Sequence, residues 1–302
     1  MLPRFPPTLL VASFCMGMVV AAAILPLEPA AAQTQLVPAQ DNASLLGGDQ
    51  AQGAVIWSHG RSLQKECSLV PTPDYIGVFR AAGWDTFRLN RPSIADTLSA
   101  SAAALAGEAE ALKHRGYRRV VLAGQSFGAF ISLIAAGGSD AVDAVIGTAP
   151  AAYGSAQSNP AGYGLNATRL YDLLGSVRRA RVALFFFEGD IFDPGGRAPI
   201  ADKILAAHAL AHLVVDRPAG LPTHWAGIGP AFATQFAACL VAFAADDVAS
   251  GTLDCRKLRA AAQRPTLPAL SRLTSYPPGN SVSVVDLQIG RREDIVPAVG
   301  RR

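Results

Sequence analysis

The stretch Arg119-Val-Val-Leu-Ala-Gly-Gln-Ser-Phe-Gly-Ala129 decides the fold of this chain. Residues 119–123 predict a buried strand, because they are apolar after Arg119, and residues 127–136 predict an apolar helix. The Gly-x-Ser-x-Gly pattern of 124–128 therefore lies between a strand and a helix, the context that defines a nucleophile elbow. We predict a turn too tight for side chains at its two glycines. Ser126 should project above the sheet edge at a helix N-terminus, where amide N–H groups favour negative charge.

Strand and helix patterns alternate on both sides of this elbow. The strand candidates are 54–58, 84–89, 119–123, 141–147, 181–187 and 211–215, and the helix candidates are 73–82, 94–115, 127–136, 168–177, 198–208 and 231–245. Because several strand candidates are apolar on both faces, they predict the α/β class, with a mostly parallel central sheet and helices on both faces. Residues 33–52 are polar and weakly patterned, and they predict an irregular lead-in.

Composition excludes several classes of protein. Of the 302 residues, 50% are hydrophobic and 16% are charged, which excludes a disordered chain. The formal net charge of +3 is too small to indicate a nucleic-acid partner. The sequence contains no metal-ligand cluster, phosphate-binding loop or dinucleotide fingerprint, so it predicts neither a metal nor a cofactor.

The two ends of the chain differ from its middle. Residues 1–32 have the pattern of a signal peptide, with Arg4 before an apolar run and Ala30–Ala32 at its end. The alternative is an uncleaved membrane anchor, because the run approaches spanning length. We expect cleavage after residue 32, a catalytic domain over 33–255 and a basic, Pro-containing tail over 256–302.

The cysteines bear on where the protein resides. Export to the periplasm or the medium would leave Cys67, Cys239 and Cys255, with no stable insertion in a membrane after cleavage. An oxidising compartment permits one disulfide, and Cys239 and Cys255 are the nearest pair in the sequence. However, Cys239 also continues an apolar helical face, where a buried free thiol would fit. The sequence leaves both possibilities open.

A serine nucleophile needs a base, and five histidines are available. His224 lies in a loop after the last strand candidate and before the last helix candidate, where it can reach Ser126 over the strand ends. It also completes the chain order Ser…acid…His. The rival, His59, directly follows the strand 54–58 and is better suited to the loop that supplies oxyanion donors.

Three carboxylates follow the strand candidate 181–187 and compete for the role of the acid that orients the base. Asp190 is favoured by its distance from the strand end, and Asp193 is its rival. Glu188 lies too close to the strand. Since either aspartate satisfies the Ser…acid…His order, the sequence leaves the choice between them open.

With these residues placed, the chain resembles the α/β-hydrolase fold family, in particular its smaller esterases and dienelactone-hydrolase-like members. The resemblance covers roughly residues 53–246 and rests on the elbow, the acid loop and the segment 224–227. One departure is that the two strands that usually precede the His59-Gly60 strand are not evident. The family implies an oxyanion hole built from the backbone N–H groups of Phe127 and Arg61.

The segment between the strand candidates 141–147 and 181–187 is short, so we expect a minimal lid. Candidates for a shallow substrate pocket are His59, Tyr153 and Trp225, and ordinary packing would explain the last two equally well. The resemblance implies a serine hydrolase that cleaves small-molecule carboxylic esters through an acyl-enzyme. The alternatives are acyl transfer, amide or peptide cleavage with the same residues, and a non-catalytic binding protein of this fold.

Overall fold

The computed structural model describes residues 34–40, 44–62, 65–67, 70–92, 96–246 and 250–262, of which 259–262 are described by their backbone alone. Contacts divide the chain into one unit over residues 1–263 and a second over 264–302. The predicted signal peptide, residues 1–32, lies outside the described residues, and so does the predicted tail beyond residue 262.

One sheet of eight strands runs through the described part of the chain. The strands are β1 (Gln35–Pro38), β2 (Ala54–Ser58), β3 (Asp85–Asn90), β4 (Val120–Gln125), β5 (Ala144–Thr148), β6 (Arg181–Phe186), β7 (Ala211–Asp216) and β8 (Gly251–Thr252). Their order across the sheet is β1-β3-β2-β4-β5-β6-β7-β8. β1 is antiparallel to β3, and every other neighbouring pair is parallel. The predicted mostly parallel sheet is confirmed.

Helices connect the strands. They are α1 (Asp74–Ala81), α2 (Leu98–His114), α3 (Phe127–Gly138), α4 (Pro160–Tyr163), α5 (Leu165–Ser176), α6 (Arg197–Ala207), α7 (Pro230–Ala245) and α8 (Cys255–Ala262), and a single 3-10 turn covers Ala226–Ile228. None of the helices described here combines the length and the apolar character needed to cross a membrane.

The central strand β4 shows why the sheet is covered on both faces. Val120 and Leu122 pack into the core shared with α2, α3, α5 and α6, whereas Val121 and Ala123 pack into the core shared with α1, α7 and α8. All four side chains are fully buried. Successive strand residues point to opposite faces, so an uninterrupted apolar run needs two cores, and each aliphatic side chain buried there contributes about 1.5–3 kcal/mol. The elbow that follows β4 is therefore held at the centre of the sheet.

Four elements lie where the sequence did not predict them: β1, α4, β8 and α8. β1 falls within the segment 33–52, for which an irregular lead-in was expected, so that prediction is wrong at Gln35–Pro38. Its backbone pairs with β3, with Leu36 opposite Leu89, and four residues are too few to give a clear periodic signal. At the other end, α8 continues helical structure past residue 255, where the alternation was expected to stop. A disulfide between Cys239 and Cys255 joins α7 to α8.

The start of α2 also differs from the prediction. The sequence predicted a helix from residue 94, but the helix begins at Leu98. Thr97 has extended backbone dihedrals, and its hydroxyl accepts a hydrogen bond from the N–H of Ala100 at 3.3 Å. A threonine in this position satisfies an amide that lacks a partner within the helix, which fixes the helix start.

Candidate active site

The turn between β4 and α3 has the strained geometry of an elbow. Ser126 has φ 56° and ψ −118°, a region that non-glycine residues rarely adopt. A Cβ atom at Gly124 would lie 2.2 Å from the carbonyl oxygen of Gly128, and one at Gly128 would lie 2.0 Å from that of Ser58. Only glycine fits at either position, because the strand, the turn and the helix approach each other so closely.

Ser126 is anchored through its backbone and exposes its hydroxyl to a pocket. Its N–H donates to the carbonyl oxygen of Thr148 at 2.9 Å, which ties the elbow to the end of β5. In the described part of the chain, its hydroxyl donates to the carbonyl oxygen of Ala151 at 3.4 Å rather than to a histidine. Phe127 begins α3, so its N–H belongs to the first turn, whose amides have no partner within the helix.

His224 and Asp190 are brought together from two separate loops. Nδ1 of His224 lies 2.9 Å from Oδ1 of Asp190, and both residues are buried. The same Oδ1 accepts the N–H of Phe192 at 2.9 Å, which fixes the carboxylate. With Nδ1–H donating to the carboxylate, Nε2 is the ring nitrogen left to accept a proton.

The two loops are joined directly by their backbones. The N–H of Thr223 donates to the carbonyl oxygen of Glu188 at 2.7 Å, two residues before Asp190. Thr223 has φ 75°, so the residue before His224 is held in the left-handed region. The position of the imidazole is thus determined by backbone geometry as well as by its own hydrogen bond.

Asp193, the rival acid, has different partners. Its Oδ1 accepts the Nε–H of Arg197 at 2.7 Å and the N–H of Gly195 at 2.8 Å. The Arg197 side chain is fully buried and also donates to the carbonyl oxygens of Pro150 and Asn166. Asp193 therefore neutralises a buried cation and closes a turn, and the structure does not pair it with His224.

A pocket of about 370 Å³ opens in front of Ser126. Its lining comprises Gly60, Arg61, Ser62, Ser126, Phe127, Ala151, Ala152, Gly154, Ser158, Phe192, His224 and Trp225. Three of the predicted pocket or oxyanion residues, Arg61, Phe127 and Trp225, are thus brought together with Ser126 and His224. Trp225 stays 59% exposed, so it forms part of the rim.

Two of the residues predicted to line the pocket do not line it. Tyr153 turns toward the core and packs edge-on against Phe130, with ring centroids 5.8 Å apart. His59 is buried behind the Gly60 backbone, and its Nδ1 lies 2.6 Å from the Gly60 carbonyl oxygen. Burial, reinforced by the positive charge of Arg91, lowers the pKa of His59 to about 4. His59 is therefore a neutral residue that shapes the loop beside the pocket.

Solved proteins share this architecture, although no similar sequence was found. No protein-family model and no curated protein sequence matches the chain. Among solved structures, the monoacylglycerol lipase of Paleococcus ferrophilus matches with a TM-score of 0.52 at 13% identity, over 70% of this chain and 98% of that one. The acetyl ester-xyloside bifunctional hydrolase of Caldicellulosiruptor lactoaceticus gives a TM-score of 0.52 at 14% identity, over 72% and 90%. This chain has the α/β-hydrolase fold.

A longer protein shares the fold as well. The puromycin-hydrolyzing peptidase of Mycobacterium tuberculosis matches with a TM-score of 0.50 at 14% identity, over 73% of this chain. This chain spans 39% of the length of that peptidase. At such identities the likeness shows the fold alone, and one fold can carry many chemistries.

In this α/β-hydrolase fold, the loops around the pocket are held by a buried asparagine that the sequence analysis did not identify. Oδ1 of Asn166 accepts the N–H groups of Ala152 and Tyr153, each at 2.9 Å. Its Nδ2 donates to the carbonyl oxygens of Gly154 at 2.7 Å and Phe192 at 3.1 Å. Asn166 thus ties the pocket wall to the acid loop. Its partners lie 12 to 26 residues away in the chain, so no local pattern indicates this role.

A second unpredicted group is the buried pair of Arg91 and Asp96. The guanidinium of Arg91 pairs with the Asp96 carboxylate and also donates to the carbonyl oxygen of His59. It lies over the ring of Phe127 at 5.2 Å, and the guanidinium of Arg61 lies 5.4 Å from the same ring. Cation–π contacts at these distances fix the ring of the residue that follows Ser126.

Proposed function

We propose that this α/β-hydrolase fold carries a serine hydrolase of carboxylic esters, with Ser126 as nucleophile, His224 as general base and Asp190 as the acid that orients the base. The observation that carries the proposal is the 2.9 Å hydrogen bond between Asp190 and His224 beside a pocket that Ser126 also lines. A serine, an imidazole and a carboxylate arranged in this way serve acyl transfer on many unrelated folds.

The proposed reaction has two halves. In the first, the Ser126 hydroxyl adds to the ester carbonyl while Nε2 of His224 takes its proton, and the oxyanion is stabilised by the N–H groups of Phe127 and Arg61. The intermediate then collapses, and the alcohol leaves with the proton from His224. In the second half, His224 deprotonates a water molecule that attacks the acyl-enzyme. The second intermediate collapses as His224 returns the proton to Oγ of Ser126, and the acid product is released.

The shape of the pocket favours small esters over long peptides. It measures about 370 Å³, and the segment between β5 and β6 lines it with four small residues, Ala151, Ala152, Gly154 and Ser158. A lipase and an ester hydrolase of this fold match over nearly their whole length. The puromycin-hydrolyzing peptidase is a much longer protein, of which this chain spans 39%. These features support the ester reading over amide or peptide cleavage.

A panel of p-nitrophenyl and naphthyl esters of increasing acyl length tests the proposal. The full chain should hydrolyse short esters, and Ser126→Ala should lose turnover by about 10⁴-fold or more. Ser139→Ala is a matched control, because the Ser139 hydroxyl bonds Glu110 away from the pocket.

A fluorophosphonate probe gives a second readout that does not depend on the choice of ester. Labelling of the full chain and its loss in Ser126→Ala support the nucleophile even where no ester in the panel is cleaved. The absence of labelling would favour a non-catalytic binding protein. Higher activity with an acceptor alcohol or an anilide would favour the acyltransferase or amidase alternative.

We also propose that the protein is exported to the periplasm or the medium. Arg4, the apolar run after it and Ala30–Ala32 support cleavage, and the disulfide between Cys239 and Cys255 suits an oxidising compartment. N-terminal sequencing of protein from the native host should find a new terminus near Gln33. A soluble pool that retains Met1 would contradict cleavage.

A further inference from the structure

A second cavity, of about 530 Å³, lies at the edge of the sheet opposite the candidate active site. Its lining includes Arg118 and Arg119 directly before β4, and Arg178, Arg179 and Arg181 at the start of β6. Ser126 follows the carboxyl end of β4, whereas these arginines lie at the amino ends of the strands. Because β4 and β6 belong to the parallel part of the sheet, the two sites lie at opposite ends of the strands.

Positive charge is concentrated in this cavity. Residues 1–255 contain 17 Lys and Arg against 20 Asp and Glu, a net charge of −3. Five of those arginines line the cavity, with three aspartates, so the lining carries +2. A group of like charges that converges on one concave surface repels itself and attracts anions, which raises the local concentration of an anionic ligand.

Two of the three aspartates in the lining leave the arginines open to an anion. Asp143 is engaged by Lys113, 2.7 Å away, and also accepts the N–H of Val120 at 2.7 Å. Asp140 lies 3.7 Å from Arg179, and both side chains are at least 70% exposed. An exposed ion pair at that distance is weak in water, so an incoming anion can compete for the arginine.

The lining of the cavity contains one arginine whose side chain is held in place and others whose side chains can reorient. Arg181 is buried, donates through Nη2 to the carbonyl oxygen of Ala244 at 2.9 Å and lies 5.7 Å from the ring centroid of Phe243. Arg118 and Arg178 are exposed, so their long side chains can reorient toward a ligand. The planar guanidinium matches two oxygens of a phosphate group at once, which a single positive point charge does not.

We propose that this cavity binds a small phosphorylated molecule. Its volume lies within the range of small-molecule sites, roughly 300–1,000 Å³, which suits a compact ligand with two or more negative charges. The site is separate from the pocket around Ser126, so this proposal does not depend on the hydrolase function.

Isothermal titration of the full chain with inorganic pyrophosphate tests the proposal, with the ionic strength held constant by sodium chloride. We expect saturable binding at one site. Arg118→Gln combined with Arg178→Gln should raise the dissociation constant for pyrophosphate by about tenfold or more, because two charge-assisted contacts are lost. The matched control is Arg80→Gln combined with Arg169→Gln, two exposed arginines outside the cavity, which should bind as the unmodified chain does.

Several outcomes would overturn the proposal. Pyrophosphate that does not saturate the protein, or that binds equally well to both double variants, would exclude a specific site in the cavity. Loss of pyrophosphate binding on Ser126→Ala would place the probe in the other pocket. A DNA duplex or an anionic phospholipid vesicle that binds through Arg118 and Arg178, where pyrophosphate does not, would assign this surface to a macromolecule instead. Thermal melting of each variant verifies that it is folded.

Discussion

The side-chain amide of Gln125 donates a hydrogen bond to the carbonyl oxygen of His224 at 3.3 Å, across 99 residues of chain. Gln125 is the last residue of β4 and is buried. It precedes Ser126 directly, so one side chain links the elbow to the loop of the candidate base. The distance of the imidazole from Ser126 is therefore set partly by a residue that does not line the pocket.

Replacing Gln125 with Met tests this link, because methionine keeps the length of the side chain without its donor. We expect kcat for a reactive ester to fall about tenfold with little change in KM, since the imidazole of His224 would no longer be held in position relative to Ser126. The unfolding free energy should fall by about 1–3 kcal/mol, because a buried carbonyl would lose its partner.

The control for Gln125→Met is Gln235→Met. Gln235 donates to the carbonyl oxygen of Ala219 at the same 3.3 Å, but at an exposed site. The substitution Gln235→Met should leave both kcat and the unfolding free energy nearly unchanged. If Gln125→Met keeps kcat within twofold of the unmodified enzyme, the hydrogen bond does not position His224.

The disulfide between Cys239 and Cys255 should stabilise the end of the domain. It closes a loop with a sequence separation of 16, and cross-linking a loop of that size is worth about 3 kcal/mol in the chain-entropy model. Cys255→Ala should therefore lower the unfolding free energy measured in urea by about 2–4 kcal/mol. Cys67→Ala is the control, because Cys67 is not part of a disulfide. Equal stability of the two variants would show that the bond does not form in solution.

His59 should make the protein less stable in mild acid. Its pKa is lowered to about 4 in the folded chain, first by burial and then by Arg91, whereas an unfolded histidine titrates near 6.5. Between these values the unfolded state binds more protons, so the unfolding free energy must decrease as pH falls. This group alone accounts for a decrease of about 2 kcal/mol from pH 7 to pH 5.

Urea unfolding at pH 7, 6 and 5 measures this contribution. His59→Gln should show a smaller decrease over that range, because glutamine takes up no proton. His114→Gln, at an exposed position on α2, should retain the full decrease. If the unfolding free energy falls with pH equally in His59→Gln and in the unmodified chain, the pKa of His59 is not lowered by folding.

The elbow could be read from the sequence because its constraints are local. The glycines and Ser126 lie within five residues, and a Cβ atom at Gly124 would clash with the turn itself. The clash at Gly128 is different, because it involves Ser58 of the neighbouring strand β2. The mostly parallel sheet was predictable for a similar reason, since uninterrupted apolar runs have to be covered on both faces.

The wall of the pocket could not be read in the same way. Tyr153 belongs to the core because it meets Phe130, and His59 is enclosed together with Arg91, 32 residues later in the chain. Such contacts depend on how distant segments pack and leave no periodic signal. The same holds for the choice between the two aspartates, because His224, which pairs with Asp190, lies 34 residues away in the chain.

Asparagine substitutions at the two aspartates should separate catalysis from stability. Asp190 pairs with His224 at 2.9 Å, so Asp190→Asn should leave the imidazole in the wrong tautomer and reduce kcat by about 10⁴-fold with KM little changed. Asp193 instead pairs with the buried Arg197 at 2.7 Å. Asp193→Asn should therefore lower the unfolding free energy by about 1–3 kcal/mol, because it removes the counter-charge of a buried cation.

Each variant is the control for the other, since both replace one carboxylate oxygen with an amide nitrogen in the same loop. Steady-state kinetics below the melting temperature of the weaker variant, together with urea unfolding, measure both quantities. Asp193→Asn should keep kcat within about tenfold of the unmodified enzyme, because Asp193 only supports the loop that carries Asp190, and the hydrogen bond between Asp190 and His224 is retained. A large loss of kcat in Asp193→Asn with Asp190→Asn nearly active would assign the acid to Asp193. High activity in both variants would mean that Ser126 and His224 act as a dyad.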